Sequence, residues 1–400
     1  MEDMTTDPTH AHSAPGPLPP LATLSVFGPA HAPAHAPVHA PAVVSANGWE
    51  RAVGVVSRLA YALIALWLFL SAIAVMKTGA AALAPALQGS VLTDSLASTL
   101  GFGWLGAMLV MSGSPVAASA LALLDGGAVD AGGAFMMLTG SRLGAAFVVL
   151  VVAFIYAMRG SRSKESRHAS LSIGIFALLM TAVVYLPAML IGVPLLGSNA
   201  MNALAAASPV ELFNFVSTLT APLVERIATT LPEQTLFFAG LVLLLVSIRM
   251  FDRALPHADE STLQDHADWR SRKWIMFGVG SLVALVTMSV SVALTILVPA
   301  VSKGYFRRRH CIPYIMGANI TTLGDTLVTA MVIGNPDGVR VVLSELVGIV
   351  AITVVLLAFL YGPLTERLVQ TTDWILTSRR RLACFVAVLF CVPISLIWFV

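Results

Sequence analysis

The sequence predicts an all-α integral membrane protein with two inverted-topology repeats, each made of three spans and a re-entrant or broken helical hairpin, plus one extra C-terminal span. Three observations lead to this prediction. The 400-residue chain is 57% hydrophobic and only 11% charged, whereas soluble domains carry about 25% charged residues. Its apolar residues fall into runs that approach the length of a bilayer-crossing helix. Two of these stretches are similar to each other and are interrupted by small polar residues.

The chain begins with a segment, residues 1–50, that is rich in Pro, Ala and His and lacks the apolar core of a cleavable signal peptide. This composition predicts a disordered tail. His31, His35 and His39 lie in the run HAPAHAPVHA and could chelate a metal ion weakly. A low-complexity leader is the preferred interpretation, because proline prevents the helix that would align the three imidazoles.

Seven apolar runs are predicted to span the membrane. They lie near Leu59–Met76, Gly132–Met158, Leu171–Leu190, Thr235–Ile248, Cys311–Gly334, Val339–Tyr361 and Leu382–Val400. Two further stretches, Gly101–Leu124 and Gly278–Val301, contain the interruptions MSGSP and MSVS. Interrupted helices at membrane depth are tolerated where they line a cavity or pack inside protein. We therefore expect both stretches to be re-entrant hairpins or broken helices.

The two interrupted stretches align without gaps when Gly101 is placed on Gly278, and this constant displacement is called the repeat offset below. The residues that are then identical include the glycines, a methionine and both serines of each stretch: Gly101 and Gly278, Gly103 and Gly280, Met111 and Met288, Ser112 and Ser289, Ser114 and Ser291. The same offset carries predicted spans of the first half onto spans of the second, so that each repeat holds three. An odd number of spans requires the second copy to be inverted.

The sequence thus divides into four parts that follow the predicted tail. They are a first repeat (51–191), a connection (192–234), a second repeat (235–367) and a C-terminal helix (368–400).

Loop charges agree with this inversion. The segment after the first hairpin reads DGGAVD, whereas its counterpart after the second reads SKGYFR and continues into further basic residues. Basic loops favour the cytoplasm, which predicts a cytoplasmic N-terminus, an extracytoplasmic connection 192–234 and a plasma or inner cell membrane location. The formal net charge of +2 gives no reason to expect a nucleic-acid partner.

Two short segments follow the interruptions at the same interval. GANITTL begins at Gly317 and follows Ser289, and GSRLGAA begins at Gly140 and follows Ser112. Taken with the paired serines, this pattern resembles the sodium-dependent phosphate cotransporter (Na/Pi, type II) family, which carries a Q-S-S-S motif and a G-A-N-I-G-T-T-like segment in its inverted repeats. The resemblance covers roughly residues 58–361.

The resemblance implies sodium-coupled uptake of inorganic phosphate or a related small anion by alternating access, with Na⁺ as the coupling ion. The sequence departs from the family pattern at the site itself. Met111 and Met288 stand where the family has glutamine, and Arg142 stands where it has the asparagine retained here as Asn319. A methionine in place of a glutamine lacks the amide oxygen and N–H groups that sodium and phosphate would bind.

The candidate binding residues lie at or after the two interruptions. Serine hydroxyls and freed backbone groups at a helix break can bind an anion or ligate a cation, although small residues also serve close helix packing. Amide and hydroxyl groups after the second hairpin could ligate a cation through oxygen or could cap a helix. The candidates are Ser112, Ser114, Ser289, Ser291, Asn319, Thr321 and Thr322.

Arg142 is predicted about 15 Å along its helix, from a rise of about 1.5 Å per residue. A charge at that depth is costly and faces a cavity or a partner. Three roles remain open: binding an anionic substrate group, standing in for a bound cation, or forming a structural salt bridge with Asp325 or Glu345. Those two carboxyl groups are also candidates for carrying a coupling proton.

The sequence carries no phosphate-binding loop and no hydrolase or zinc-protease motif, so we expect no enzymatic activity. Its cysteines, Cys311, Cys384 and Cys391, form neither a disulfide framework nor a zinc cluster. Two alternatives to sodium-coupled anion transport stay open. One is a transporter of another solute driven by protons, and the other is a membrane scaffold or sensor that kept the fold without transporting.

Overall fold

The computed structural model describes residues 48–159, 163–207, 214–254, 272–287 and 289–398. Within these ranges every regular element is helical. The described residues from Ala52 onward belong to one compact unit, Ala52–Val400. The predicted tail lies outside the described residues except for the start of the first helix, and Met288 also lies outside them.

The helices fall into two series. Those of the first half are α1 (Gly48–Leu87), α2 (Leu96–Val110), α3 (Ser114–Asp125), α4 (Ala131–Ala145), α5 (Phe147–Arg159), α6 (Lys164–Leu195), α7 (Asn199–Ala206) and α8 (Asn214–Thr230). Those of the second half are α9 (Glu233–Ala254), α10 (Lys273–Thr287), α11 (Val290–Thr295), α12 (Leu297–Ser302), α13 (Cys311–Thr321), α14 (Leu323–Ile333), α15 (Pro336–Phe359), α16 (Tyr361–Leu376) and α17 (Arg379–Trp398).

Seven helical segments are long and apolar enough to cross a membrane. They are Val56–Leu87, Ala131–Met158, Lys164–Leu195, Glu233–Met250, Arg308–Ile333, Pro336–Phe359 and Arg379–Trp398. At 18–32 residues they measure about 27–48 Å, which matches a hydrocarbon core of about 30 Å. Each coincides with one of the seven predicted spans, so the prediction of a multi-pass helical membrane protein is confirmed.

The first interrupted stretch breaks into α2 and α3, as predicted. Met111 ends α2 in the left-handed conformation (φ 58°), and Pro115 lies in the first turn of α3. A positive φ is uncommon for a residue with a side chain, and proline is tolerated where a helix starts. With 15 and 12 residues, the two helices are about 22 Å and 18 Å long, and neither alone spans a bilayer.

The second interrupted stretch breaks at the equivalent place. Here α10 ends at Thr287, and Ser289 in extended conformation caps α11 by accepting a hydrogen bond from the backbone N–H of Val292 at 3.3 Å. The helix bounds repeat at the offset found in the sequence: α2 spans 96–110 and α10 spans 273–287. The second hairpin is less regular, because α11 and α12 replace the single helix α3.

Four glycines bring helix backbones together in the same way in both halves. A Cβ atom on Gly103 would lie 2.2 Å from the carbonyl oxygen of Met137, and one on Gly280 would lie 2.1 Å from that of Tyr314. A Cβ atom on Gly140 would lie 2.2 Å from the carbonyl oxygen of Leu100, and one on Gly317 would lie 2.1 Å from that of Phe277. The glycines and their partners in the two halves are all related by the repeat offset. Helices α2 and α4 therefore cross as closely as α10 and α13, which only residues without a side chain permit.

The two halves exchange contacts across a common interface. Helix α3 packs against α14, while α11 and α12 pack against α5, so each broken hairpin contacts the second half of the span that follows its counterpart. Helices α6 and α15 cross closely. A Cβ atom on Gly348 would meet the carbonyl oxygen of Ala188, and one on Gly192 would lie near that of Ser344. Groups on α3, α4, α14 and α15 are thereby brought close together.

Two regions outside the seven predicted spans are partly helical. The connection 192–234 contains α7 and α8, and most of the charged segment 367–381 belongs to α16 or the start of α17. The residues buried on α16 are spaced as one helical face: Thr365, Leu368, Thr372 and Ile375. Because this buried stripe includes two threonines and lies among charged residues, α16 has no long apolar run to reveal it. The first span also extends to Leu87, since its alanine-rich end favours helix.

Candidate functional site

A buried ion pair joins the two halves of the protein. Arg142 lies in the last turn of α4 and is 4% exposed, and its Nη2 atom is 3.6 Å from Oδ1 of Asp325, which lies in the first turn of α14. Both residues lie about one turn from a one-residue interruption inside a membrane span, at Ala146 between α4 and α5 and at Thr322 between α13 and α14.

Two hydroxyl groups complete the surroundings of the pair. Thr326 accepts a hydrogen bond from Nη2 of Arg142 and donates one to Oδ1 of Asp325 at 2.9 Å. Ser114, the first residue of α3, donates to Oδ2 of the same carboxylate. Both oxygens of Asp325 thus have partners, and the Nε atom of Arg142 is buried with no partner among the described residues.

Glu345 is a second buried carboxyl group beside this cluster. It lies on α15 and is 1% exposed, and its Oε1 atom accepts a hydrogen bond from Thr139 at 2.9 Å. Thr139 precedes Arg142 by one turn of α4, and Arg142 is close enough to interact electrostatically with Glu345. The Oε2 atom of Glu345 is buried without a partner in the described part of the chain.

Asn319 belongs to a neutral polar network between α13 and α6. Its amide nitrogen donates to the hydroxyl of Thr181 at 3.2 Å, and its backbone carbonyl accepts hydrogen bonds from Tyr185 at 2.9 Å and Thr322 at 3.1 Å. Tyr185 is fully buried and also lies within electrostatic range of Arg142. This network therefore adjoins the charged cluster.

The other predicted site residues lie outside these networks. Ser289 caps α11, and Thr321 bonds back to the carbonyl oxygen of Gly317 in its own helix at 3.3 Å. Ser112 and Ser291 are half-buried, and no hydrogen bond of their hydroxyl groups is formed within the described ranges. The structure thus brings Ser114, Arg142 and Asp325 together and adds Glu345, Asn319 and Thr322 around them.

The charged groups of the cluster occur once, not twice. At the repeat offset, Asp325 corresponds to Val148, Arg142 to Asn319, and Glu345 to His168. The first half of the chain contributes the cation and the second half contributes both carboxyl groups. The cluster is therefore asymmetric.

The donor set fits a sodium ion only partly. Carboxylate and hydroxyl oxygens are the ligands that hard cations use, and Asp325, Ser114 and Thr326 supply them. The guanidinium group of Arg142, however, already contacts this carboxylate and one of these hydroxyls. No group of three or more His, Cys, Asp or Glu side chains placed to hold a metal ion is found among the described residues.

No protein-family model, curated protein or solved structure matches the chain. The resemblance to the sodium-dependent phosphate cotransporters therefore rests on the quoted motifs alone.

Several residues of the networks were not predicted from the sequence. Thr326 follows Asp325 directly, so its position beside a buried carboxylate was available as a signal. Thr139 lies one helical turn before Arg142 and offered a weaker one. Thr181 and Tyr185 lie in a long apolar span, where nothing in the local pattern distinguishes them from packing residues.

A separate ionic cluster is formed by Asp373, Arg308 and His168. The carboxylate of Asp373 on α16 accepts hydrogen bonds from Arg308 at 2.6 Å and His168 at 2.8 Å. Partial burial opposes ionisation of this group, but the hydrogen bonds and charges of Arg308 and His168 outweigh it and hold the pKa of Asp373 below its ordinary value. The cluster ties α16 to α6 and to the turn before α13.

Proposed function

We propose that the protein is a secondary transporter that carries a small anion together with a cation by alternating access. The observation that carries this proposal is the buried cluster of Arg142, Asp325 and Glu345 between the two halves. Ionisable groups inside a membrane protein are rare and usually mark a solute or ion pathway. Secondary transporters bind their solutes near the midplane, where two repeats with discontinuous helices meet.

The architecture we propose is a pair of inverted repeats that are related by the repeat offset. The matching helix bounds and the matching glycine contacts of α2–α4 and α10–α13 support the repeat. Three spans per repeat and the opposite charge of the segments after the two hairpins support the inversion. On this basis the N-terminus is cytoplasmic, and the basic connections lie on the cytoplasmic side of the cell membrane.

The charges of the cluster favour coupling of an anion to a cation. With both carboxyl groups ionised, Arg142, Asp325 and Glu345 sum to a charge of −1, which repels an anion at a site of low dielectric. A bound cation, or protonation of one carboxyl group, neutralises that charge. Anion and cation would therefore enter together, which is the thermodynamic basis of symport.

Arg142 would bind the anion after its release from Asp325. A guanidinium group offers several N–H donors in a planar arrangement that suits a phosphate-like oxyanion, and its Nε atom has no partner within the described residues. Inorganic phosphate or a related small anion follows from the resemblance to the Na/Pi family, and that resemblance names sodium as the coupling ion.

Protons are the second candidate for the coupling ion, and two specific observations favour them. Arg142 already occupies the space next to Asp325 in which a sodium ion would find its oxygen ligands. Glu345 also keeps one carboxyl oxygen without a partner in the described structure, so a proton can be taken up there without displacing a contact.

Radiolabelled phosphate uptake into proteoliposomes tests the proposal. Vesicles that contain the purified protein would be given an inward sodium gradient, an inward proton gradient, or neither. Accumulation under one gradient supports anion symport and identifies the coupling ion. No uptake under any condition would contradict phosphate transport and leave the two alternatives, a proton-driven transporter of another solute and a scaffold or sensor.

A further inference from the structure

A cavity of about 790 Å³ opens between the ends of α5, α6, α16 and α17. Three of these helices belong to membrane spans, Ala131–Met158, Lys164–Leu195 and Arg379–Trp398, and the cavity lies at their ends. That position corresponds to the level of lipid headgroups rather than to the hydrocarbon core. No residue of the Arg142 cluster lines the cavity, so the cavity requires its own explanation.

The side chains around the cavity carry positive charge. Lys164, Arg167 and Arg379 line it and are exposed, and His168 lines it as well. Among the described residues that line the cavity, none is acidic. Asp373 lies next to His168 but is already bound by Arg308. The cavity therefore presents an excess of cationic groups to whatever enters it.

The helix ends do not account for this charge. Helices α6 and α17 begin at the cavity while α5 and α16 end there, so their dipoles oppose one another. The exposed carboxylate of Glu165 in the first turn of α6 offsets part of the charge but is not a lining residue. The sign of the field is thus set by the basic side chains.

The cavity is also lined by apolar side chains, two of which are well exposed. Phe154 is 49% exposed and Met158 is 67% exposed, and both line the cavity together with Leu171 and Leu382. Exposed apolar side chains at the end of a membrane span contact acyl chains. A ligand that matches both the basic and the apolar lining residues has an anionic head and a hydrophobic tail.

An aromatic residue nearby supports a position at the membrane interface. Trp374 of α16 is 57% exposed, and the guanidinium group of Arg381 lies 4.5 Å from the centre of its ring. Tryptophan and arginine are favoured at the level of the headgroups, where one side of each group is apolar and the other is hydrated.

We infer that this cavity binds the headgroup of an anionic glycerophospholipid, with the phosphate held by Lys164, Arg167 and Arg379 and the acyl chains lying along Phe154 and Met158. Basic pockets between membrane helices recognise anionic headgroups by this combination of charge and apolar surface. This inference does not depend on the proposed transport function.

Native mass spectrometry of the detergent-purified full chain tests the inference. The protein is titrated with phosphatidylglycerol, with phosphatidylcholine of the same acyl chains, and with glycerol 3-phosphate, which has the phosphate but no tails. Phosphatidylglycerol is expected to bind, and the variant K164Q/R167Q/R379Q to bind it about a hundredfold more weakly, at about fivefold for each charge.

The matched control removes the same number of charges from exposed basic residues that do not line the cavity, as R307Q/R309Q/R380Q. Its affinity is expected to change by less than about threefold. If the cavity variant loses its cooperative thermal transition, the single variants Lys164→Gln and Arg167→Gln replace it, each with the fivefold effect. Three results would overturn the inference. They are a loss of phosphatidylglycerol affinity in the control as large as in the cavity variant, binding of phosphatidylcholine as tight as that of phosphatidylglycerol, and equally tight binding of glycerol 3-phosphate.

Discussion

Arg142 and Asp325 meet inside the protein from opposite halves of the chain, with Nη2 of the arginine 3.6 Å from Oδ1 of the aspartate. Each lies beside a one-residue interruption inside a membrane span, and each corresponds to an uncharged residue in the other half. Of the three roles predicted for Arg142, the pair corresponds to the salt bridge with Asp325. Anion binding stays a prediction beside it, because a guanidinium paired in one state can be released in another.

Loss of one partner of this pair is expected to destabilise the protein. The side chains of Arg142 and Asp325 are 3% and 9% exposed, and removing one member of a buried pair costs about 3–5 kcal/mol because it leaves the other charge uncompensated. Thermal unfolding in detergent of Arg142→Ala, Asp325→Ala and the double variant measures this effect. The double variant is expected to lose less than the sum of the single variants. Strict additivity would mean that the two groups do not interact.

The close crossing of α10 and α13 leads to a second prediction, and α10 also provides the control residue. Gly280→Ala places a methyl group 2.1 Å from the carbonyl oxygen of Tyr314, whereas Gly278→Ala, earlier in the same helix, meets nothing within 4 Å. We expect Gly280→Ala to destabilise by about 1–3 kcal/mol and Gly278→Ala to be neutral or slightly stabilising.

Gly103→Ala is expected to match Gly280→Ala in the same thermal unfolding experiment, since its methyl group would lie 2.2 Å from the carbonyl oxygen of Met137. Similar effects of Gly103→Ala and Gly280→Ala, with none from Gly278→Ala, would support structural equivalence of the repeats. A stable Gly280→Ala variant would contradict the described crossing of α10 and α13.

The sequence predicted the membrane architecture well for a physical reason. A helix in lipid needs a long apolar run, and such runs stand out in all seven spans. The breaks at Met111 and before Ser289 were also predictable, because small polar residues interrupt the runs there. Helix α16 was not, since its apolar face is only one stripe among charged residues.

The candidate site was predicted less completely. Arg142, Asp325 and Glu345 stood out as charges at membrane depth, and their partners were the open question. Which residues meet depends on how α3, α14 and α15 pack against α4, and no local pattern encodes that packing. Tyr185 therefore emerged only from the structure, and Ser112 and Ser291 lie outside the hydrogen-bonded networks of the described residues.

Inverted topology predicts that the loop before α2 and the segment after the second hairpin lie on opposite sides of the membrane. In a variant whose three native cysteines are replaced by alanine, Val91→Cys lies in the loop before α2, and Arg307→Cys lies after the second hairpin. A membrane-impermeant thiol reagent is expected to label Val91→Cys in intact cells. Arg307→Cys should be labelled only after permeabilisation. Labelling of both from the same side would contradict the inverted arrangement.

The ionic cluster at Asp373 predicts a defined pH dependence of stability. Because the folded state lowers the pKa of this group, the interaction stabilises the protein above the carboxyl pKa of the unfolded chain, about 3.9, and the contribution is lost as the pH falls through the folded pKa. The paired side chains are partly solvent-exposed, which screens their charges, so the effect is small, about 0.5 kcal/mol.

Comparison of thermal unfolding of the wild type and Asp373→Asn across this range measures the contribution. The variant is expected to unfold at a lower temperature at pH 7, and the difference is expected to shrink below pH of about 4. A difference that stays constant down to acid pH would show that Asp373 stabilises the protein by packing and not by its charge.

Phosphate uptake by Arg142→Ala proteoliposomes tests the central claim most directly. Arg340→Ala is the matched control, since it also removes an arginine that is paired with an aspartate, Asp337, but lies at a helix end away from the buried cluster. The two variants are compared with the wild type under the gradient that drives uptake, at equal amounts of folded protein. We predict accumulation by the wild type and Arg340→Ala and a loss of at least about tenfold in Arg142→Ala, the size expected for one charge-assisted hydrogen bond to the anion. Equal uptake by Arg142→Ala and the wild type would contradict the assignment of this arginine to the anion site.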